Sequence, residues 1–326
     1  GRDAKGRAPD FADPQVLLAG ADNTIESWLA VLEGSRQVTL SVTPEADRLS
    51  AELSLTPAAE GAAALLSREL VVGSAMPLLE LPSSTGAALL LRGETQANVT
   101  GPGQSVAQLF GGRLDARQTK QLVDALDAFA QARHGATVIG FVPAPAPALL
   151  VSCELSSGGD FTEAFADVLS LLQLPPVSGM VSGSLGKLSL ELGRPANGAR
   201  HARLRLRPTA HGAGMPLPPS LGITWEAKAG VGYIVVSPDE ALGLAPFHEA
   251  SRLSGSEWLV HSQPELAERR ALALFADARL LLPGGPDDAK LLLSFGKKAD
   301  QIVLALDAAA SALPALARLF ALDRSP

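Results

Sequence analysis

The chain has 326 residues, a net charge of −7, 47% hydrophobic residues and only 4% aromatic ones. That length holds one large domain or two of ordinary size, with enough apolar residues for a real core, which Ala, Leu and Val have to fill. The acidic balance excludes electrostatic attraction to nucleic acid or anionic headgroups, and the scarcity of rings excludes a base-stacking surface.

Cys153 is the single cysteine, so no internal disulfide can form. That usage fits the cytosol and also fits an exported protein without disulfides. In LLVSCEL the residue sits on an alternating pattern and reads as a buried structural thiol. No apolar run has the length of a bilayer span. The chain opens on Gly1 rather than Met, which suggests a mature or trimmed form whose targeting segment has been removed. Residues 1–14 are polar and aperiodic and are expected to be a flexible tail.

In chain order, Asn23 to Leu32 predicts a short helix with Asn23 as cap, Glu26 completing a capping box and Gly34 as terminator. Its apolar face is Ile25, Trp28, Leu29 and Leu32. Gln37 to Leu66 predicts strand, turn, strand and helix. Val71 to Leu81, with Gly73 and Pro77, predicts irregular backbone, and Ala87 to Leu91 a buried strand. Between Gly93 and Gly112 a loop with one short helix is expected. Asp115 to Arg133 is a clear helix, with Leu122, Leu126 and Phe129 on one face and Gly135 as its end. Ala136 to Leu172 repeats the hairpin-then-helix form, its helix capped by Asp160 and Glu163. Gln173 to Gly186 is rich in Pro, Ser and Gly and is the candidate boundary. Leu188, Leu190 and Leu192 then alternate with polar residues and pair with a strand around Leu204 and Leu206. Thr209 to Leu221 is a proline-rich loop. Gly222 to Phe247 gives a third hairpin and helix. Ser254 to Ser262 and Pro264 to Arg269 predict short helices, Ala271 to Ala276 a strand, and Pro283 to Asp288 a turn.

The last unit, Lys290 to Phe320, shows the building block most plainly. Leu291, Leu293 and Phe295 alternate, a turn follows, Ile302, Leu304 and Leu306 alternate, and Leu313, Leu316, Ala317 and Phe320 take helical spacing. Laid ungapped on this unit, residues 37–66 are identical at roughly nine of about thirty positions, among them Leu40, Ser41, Ala46, Asp47 and Leu53. The expected fold is α+β: antiparallel sheets with helices packed on one face, from repeated β-hairpin–helix units in two similar halves. The expected division is a tail at 1–14, a first half at 15–178 and a second at 179–326.

Chemistry-bearing motifs are few. The five histidines, His134, His201, His211, His248 and His261, show no metal-ligand spacing, and Asp287–Asp288 reads as a solvated turn. No GxSxG elbow is present. Ser182 to Lys187 lacks the first glycine of a phosphate loop and reads as a flexible entry to a strand. Gly101 to Ser105 would offer an anion the N–H groups of a helix start, or be a plain loop. No catalytic residue, metal or cofactor is expected. Arg203, Arg205 and Arg207, with His201 at the same parity, form a positive ridge on one strand face. It reads as a partner-binding ridge for an acidic protein surface or lipid headgroups, or as edge charges partly offset by Glu191.

Three stretches, LPSSTGAALLLRGE (81–94), GYIVVSPDEALGLAP (232–246) and SRLSGSEWLVHSQPELAERRALALFADARLLL (251–282), resemble a family of exported bacterial proteins that carry a domain of unknown function. The resemblance carries no catalytic residue. It implies export, to the periplasm or outer membrane, and tethering near the membrane through a missing N-terminal anchor, as in a lipoprotein. The expected function is a non-catalytic cell-envelope protein that binds a partner protein or an apolar, lipid-like ligand. The alternatives are an enzyme whose site assembles only in the fold, and a structural subunit of a larger assembly.

Overall fold

The structure, a computed structural model, describes residues 26–93, 101–110, 112–144, 146–156, 158–179, 187–193, 198–207, 218–277, 280 and 288–314. The chain is α+β, and its strands pair antiparallel. Strands β1 (Ser35–Pro44), β2 (Arg48–Pro57) and β3 (Ala87–Gly93) come first. Strands β4 (Arg133–Val142), β5 (Ala148–Leu155), β6 (Lys187–Leu192), β7 (Arg200–Arg207), β8 (Ser220–Lys228) and β9 (Val231–Ser237) follow. The last are β10 (Arg269–Asp277), β11 (Lys290–Lys298) and β12 (Gln301–Ala309).

Two compact units result. One, the inserted unit, is built on Gly93–Ala250; the other, the flanking unit, on Pro9–Arg92 together with Ser251–Pro326. The cut expected at 178/179 therefore falls inside the inserted unit. The reason is strand pairing: β12 returns to β2, so the two ends of the chain share one sheet. A local composition shift cannot report that.

In the inserted unit the strand order is β4-β5-β9-β8-β7-β6. Helix α4 (Ala116–Gln131) starts at Asp115, whose carboxylate accepts from Gln118 N at 2.8 Å while Gln118 Oε1 accepts from Asp115 N at 3.0 Å. This capping box satisfies two N–H groups that a helix start leaves unpaired. Arg133 and His134, expected in the last turn of this helix, instead open β4. Helix α5 (Gly158–Ser170) begins before Asp160, which is therefore inside the helix and not its cap. It lays Phe161 and Phe165 on the sheet beside Cys153, Ile234 and Trp225. The ring of Phe165 meets Trp225 edge-on at 5.3 Å, and Trp225 Nε1 donates to Thr162 O at 3.0 Å. The fully buried Phe161 lies so close to Gly232 that a Cβ there would be 2.6 Å from its Cζ. The helix expected after Asp239 shrinks to Ala245–His248.

In the flanking unit the order is β1-β2-β12-β11-β10-β3. Helices α1 (residues 26–33) and α2 (Ala62–Glu69) cover one end of it. Val31 and Ala63 pack with Leu55 and Ile302, and Trp28 meets Phe295 edge-on at 5.8 Å. Leu29, expected on the apolar face of α1, is exposed, and Val31 takes the buried place. The helix expected beyond Leu313 and the turn at 283–288 lie almost wholly outside the described residues. Among the described residues, no helix is long and apolar enough to cross a membrane.

Gly232→Ala is expected to destabilise the protein by about 1–3 kcal/mol through overpacking against Phe161. Gly255→Ala, where nothing lies within 4 Å of the added Cβ, is the control and should unfold at nearly the wild-type urea midpoint.

Candidate functional site: an apolar sheet face

Successive side chains of a strand point to opposite faces, so the pairing register decides which residues become neighbours across a sheet. In the flanking unit the register aligns Leu40, Leu53, Leu304, Phe295, Leu272 and Leu91 in one row that crosses every strand. The next row on the same face is Val42, Ala51, Leu306, Leu293, Leu274 and Leu89. None of these side chains carries a nitrogen or oxygen. At ~4.8 Å per strand the rows run ~24 Å. Helices α1 and α2 pack at the Leu55–Ile302 end of this face. Within the rows Leu40 is 67% exposed, Val42 54%, Leu91 40% and Leu274 39%, and most of the others are half-buried. This partly exposed apolar face is the candidate site of the flanking unit. The alternating leucines were visible in the sequence, but only the register makes rows of them.

The opposite face of the same sheet is polar where Asp307 lies. Asp307 accepts from Ser50 Oγ at 2.6 Å and from Ser262 Oγ at 2.9 Å. Arg48 donates to Ser262 Oγ at 3.2 Å and to Trp258 O at 2.5 Å, with its guanidinium 4.8 Å from the Trp258 ring centre. The bonds to Ser262 and Trp258 fasten the segment around 258–262 to the sheet, and the bond from Ser50 to Asp307 joins β2 to β12. Nearby, burial and then the charge of Asp307 hold the Glu265 carboxyl above its ordinary range. His261 does not join this Ser–Asp pair; its Nδ1 is 3.3 Å from Glu257 O. Ser262 is itself buried, so its hydroxyl serves to join the segment to the sheet.

The arginine strand does present His201, Arg203, Arg205 and Arg207 at one parity of β7, with Ala202 and Leu206 buried at the other. Its charge is largely answered from within the unit. Arg203 pairs with Glu240, which also accepts from Ser220 Oγ at 3.0 Å, and Arg205 lies 3.4 Å from Glu191. The hydrogen bond from Arg203 holds the Glu240 carboxyl below its ordinary range, and the same bond raises Arg203. Glu191, Glu240, His201, Arg203 and Thr224 line a shallow depression of about 340 Å³. Glu240 was not foreseen as a partner, because it reaches the ridge from beyond the end of β9.

The remaining motifs resolve as follows. The start of helix α3 (Pro102–Leu109), where an anion was considered, is taken by the protein's own Asp127, which accepts from Gly103 N at 2.9 Å. Residues 182–186 and Asp287 lie outside the described residues. Among the described residues, no group of three or more His, Cys, Asp or Glu could hold a metal ion. Cys153 is buried, and that burial pushes its thiol up to about 11 against the opposing pull of Arg133. Compared with known proteins, the chain matches no family model, no curated protein and no solved structure.

Two outcomes are expected. Because Cys153 keeps its proton more tightly when folded, its contribution is complete below the unfolded thiol value of ~8.5 and is lost as pH rises toward about 11. Urea midpoints measured from pH 8 to 11 should fall in that window, and Cys153→Ala should flatten the fall. Asp307→Asn keeps only one of the two acceptor oxygens and should lower stability by about 1.5–3 kcal/mol in the same assay.

Proposed function

We propose that this chain is a non-catalytic binding protein of the cell envelope that takes up an apolar, lipid-like ligand on the two leucine-rich rows of its flanking sheet. The observation that carries the reading is the chemistry of those rows: side chains across all the strands offer contact area and no hydrogen-bonding group. Protein interfaces ordinarily carry about one hydrogen bond per 100–200 Å². A hydrocarbon chain asks for none, so the rows suit an acyl chain better than a polypeptide. Export and tethering rest on the family resemblance, and the apolar face agrees with a place where lipids are handled.

The strand orders within the two units support a further part of the proposal, that the units are copies of one another. In each, an opening hairpin is followed by a helix, and the second strand of that hairpin pairs with the last strand of the unit: β2 with β12, β5 with β9. The strands between fill the order back to the third strand, β3 in one unit and β6 in the other. On this reading one copy lies in the chain between the third and fourth strands of the other, which explains why the sequence shows four hairpin–helix units but no simple tandem repeat.

The test is native mass spectrometry of protein purified from its own cell envelope, together with titration of a fluorescent fatty acid. A lipid mass that leaves on activation is expected, as is probe binding weakened about tenfold by Leu91→Ser with Leu274→Ser, since each loses roughly half the value of a buried leucine. A clean apo mass with probe binding unmoved by the double change would overturn the reading. Added mass equal to a polypeptide other than a second copy of this chain would replace the lipid with a protein partner.

A further inference from the structure

We propose that β1 is a dimerisation strand, which pairs antiparallel with β1 of a second copy of this chain with Leu40 on the two-fold axis. Strand β1 ends the flanking sheet and, among the described residues, pairs only with β2. It is exposed from Arg36 to Pro44, including Val38 and Val42 on the side of Leu40. Such edges invite pairing with another chain, and natural proteins blunt them with charge, bulges or proline. Gln37 to Thr43 carries no charged residue. The terminal strand of the inserted unit, β6, carries Lys187 and Glu191.

The backbone faces the right way for this pairing. The hairpin closes with Glu45 N donating to Arg48 O at 2.8 Å. Bonded and unbonded positions alternate along an antiparallel pair. Thr43, Ser41 and Thr39 therefore bond to β2, and the N–H and C=O groups of Val38, Leu40 and Val42 point away from the sheet. The next outward position is Pro44, which has no N–H and ends the ladder.

The side chains make the occupant a second copy. Read outward from Leu40, the strand is the same in both directions by chemical class: Ser41 against Thr39, Val42 against Val38, Thr43 against Gln37. A two-fold axis through Leu40 sets Val38 opposite Val42 of the second copy, hydroxyl opposite hydroxyl and Leu40 opposite itself. A self-complementary patch of this kind is what an isologous interface requires. Opposed β-branched and hydroxyl pairs are favourable across strands. At each end, the exposed Arg36 comes beside Pro44 and the exposed Glu45 of the second copy, so the charges are complementary as well. Leu40 also ends one of the apolar rows, so pairing joins that row to its copy.

Sedimentation of the ligand-free protein at ~10 µM should show a dimer, given an edge pairing of this length with a buried apolar side. Leu40→Lys sets like charges opposite each other on the axis and should give a monomer with unchanged circular dichroism. Leu40→Cys should cross-link two chains on mild oxidation, because bonded pairs have Cα atoms ~5.5 Å apart, within disulfide range. Ser41→Cys, set opposite Thr39, should not, and the buried Cys153 gives no background. A monomeric wild type, a dimer that survives Leu40→Lys, or equal cross-linking by Ser41→Cys would each overturn the proposal. None of these measurements depends on ligand binding.

Discussion

The pairing of β2 with β12 is the contact from which the flanking unit follows. Leu55 meets Ile302 and Arg48 meets Ala309, so a strand near the start of the chain lies against one near its end along its whole length. The cost is the entropy of closing a very long loop, which grows only slowly with length and is reduced if the intervening residues fold as a unit of their own. Residues 93–250 form such a unit. Once β2 and β12 are joined, β11 follows through the tight turn at Ala299–Asp300, and β10 and β3 complete the order by their pairing.

The same register creates both faces. A shift by one residue would turn Leu304 and Leu306 away from their side and bring Asp307 onto it. Asp307 resists that shift. Its two oxygens hold Ser50 and Ser262, and Arg48 reaches Ser262 and Trp258 from the neighbouring strand. Gly296 adds a second restraint. A Cβ there would lie 2.2 Å from Arg269 O, where the β10–β11 pairing is irregular, so only glycine lets the strands approach. Polar bonds on one side thus fix the alignment of apolar rows on the other, which a purely hydrophobic sheet would specify weakly.

The inserted unit solves the same problem with rings. Phe129 of α4, Phe161 and Phe165 of α5 and Trp225 of β8 pack together between the helices and the sheet. The arginine strand lies on the other face, where carboxylates from β6 and from beyond β9 answer it. Two of the arginines that read as a docking ridge in the sequence, Arg203 and Arg205, have carboxylate partners on the surface of the same unit.

What the sequence by itself determined was local. Period-two alternation marked the hairpins β1–β2, β4–β5, β6–β7, β8–β9 and β11–β12. Asp115 marked the start of α4, and the alternation around Cys153 marked a buried thiol. Each of these depends on residues within a turn or a strand length of one another. Tertiary structure decided everything that depends on distant partners: the division into units, the filling of the α3 start by Asp127, the pairing of Arg203 with Glu240, and the assembly of leucines from separate strands into rows. Sequence periodicity says which face of a strand is apolar. It does not say which strand lies beside it, and the candidate site is a property of that adjacency.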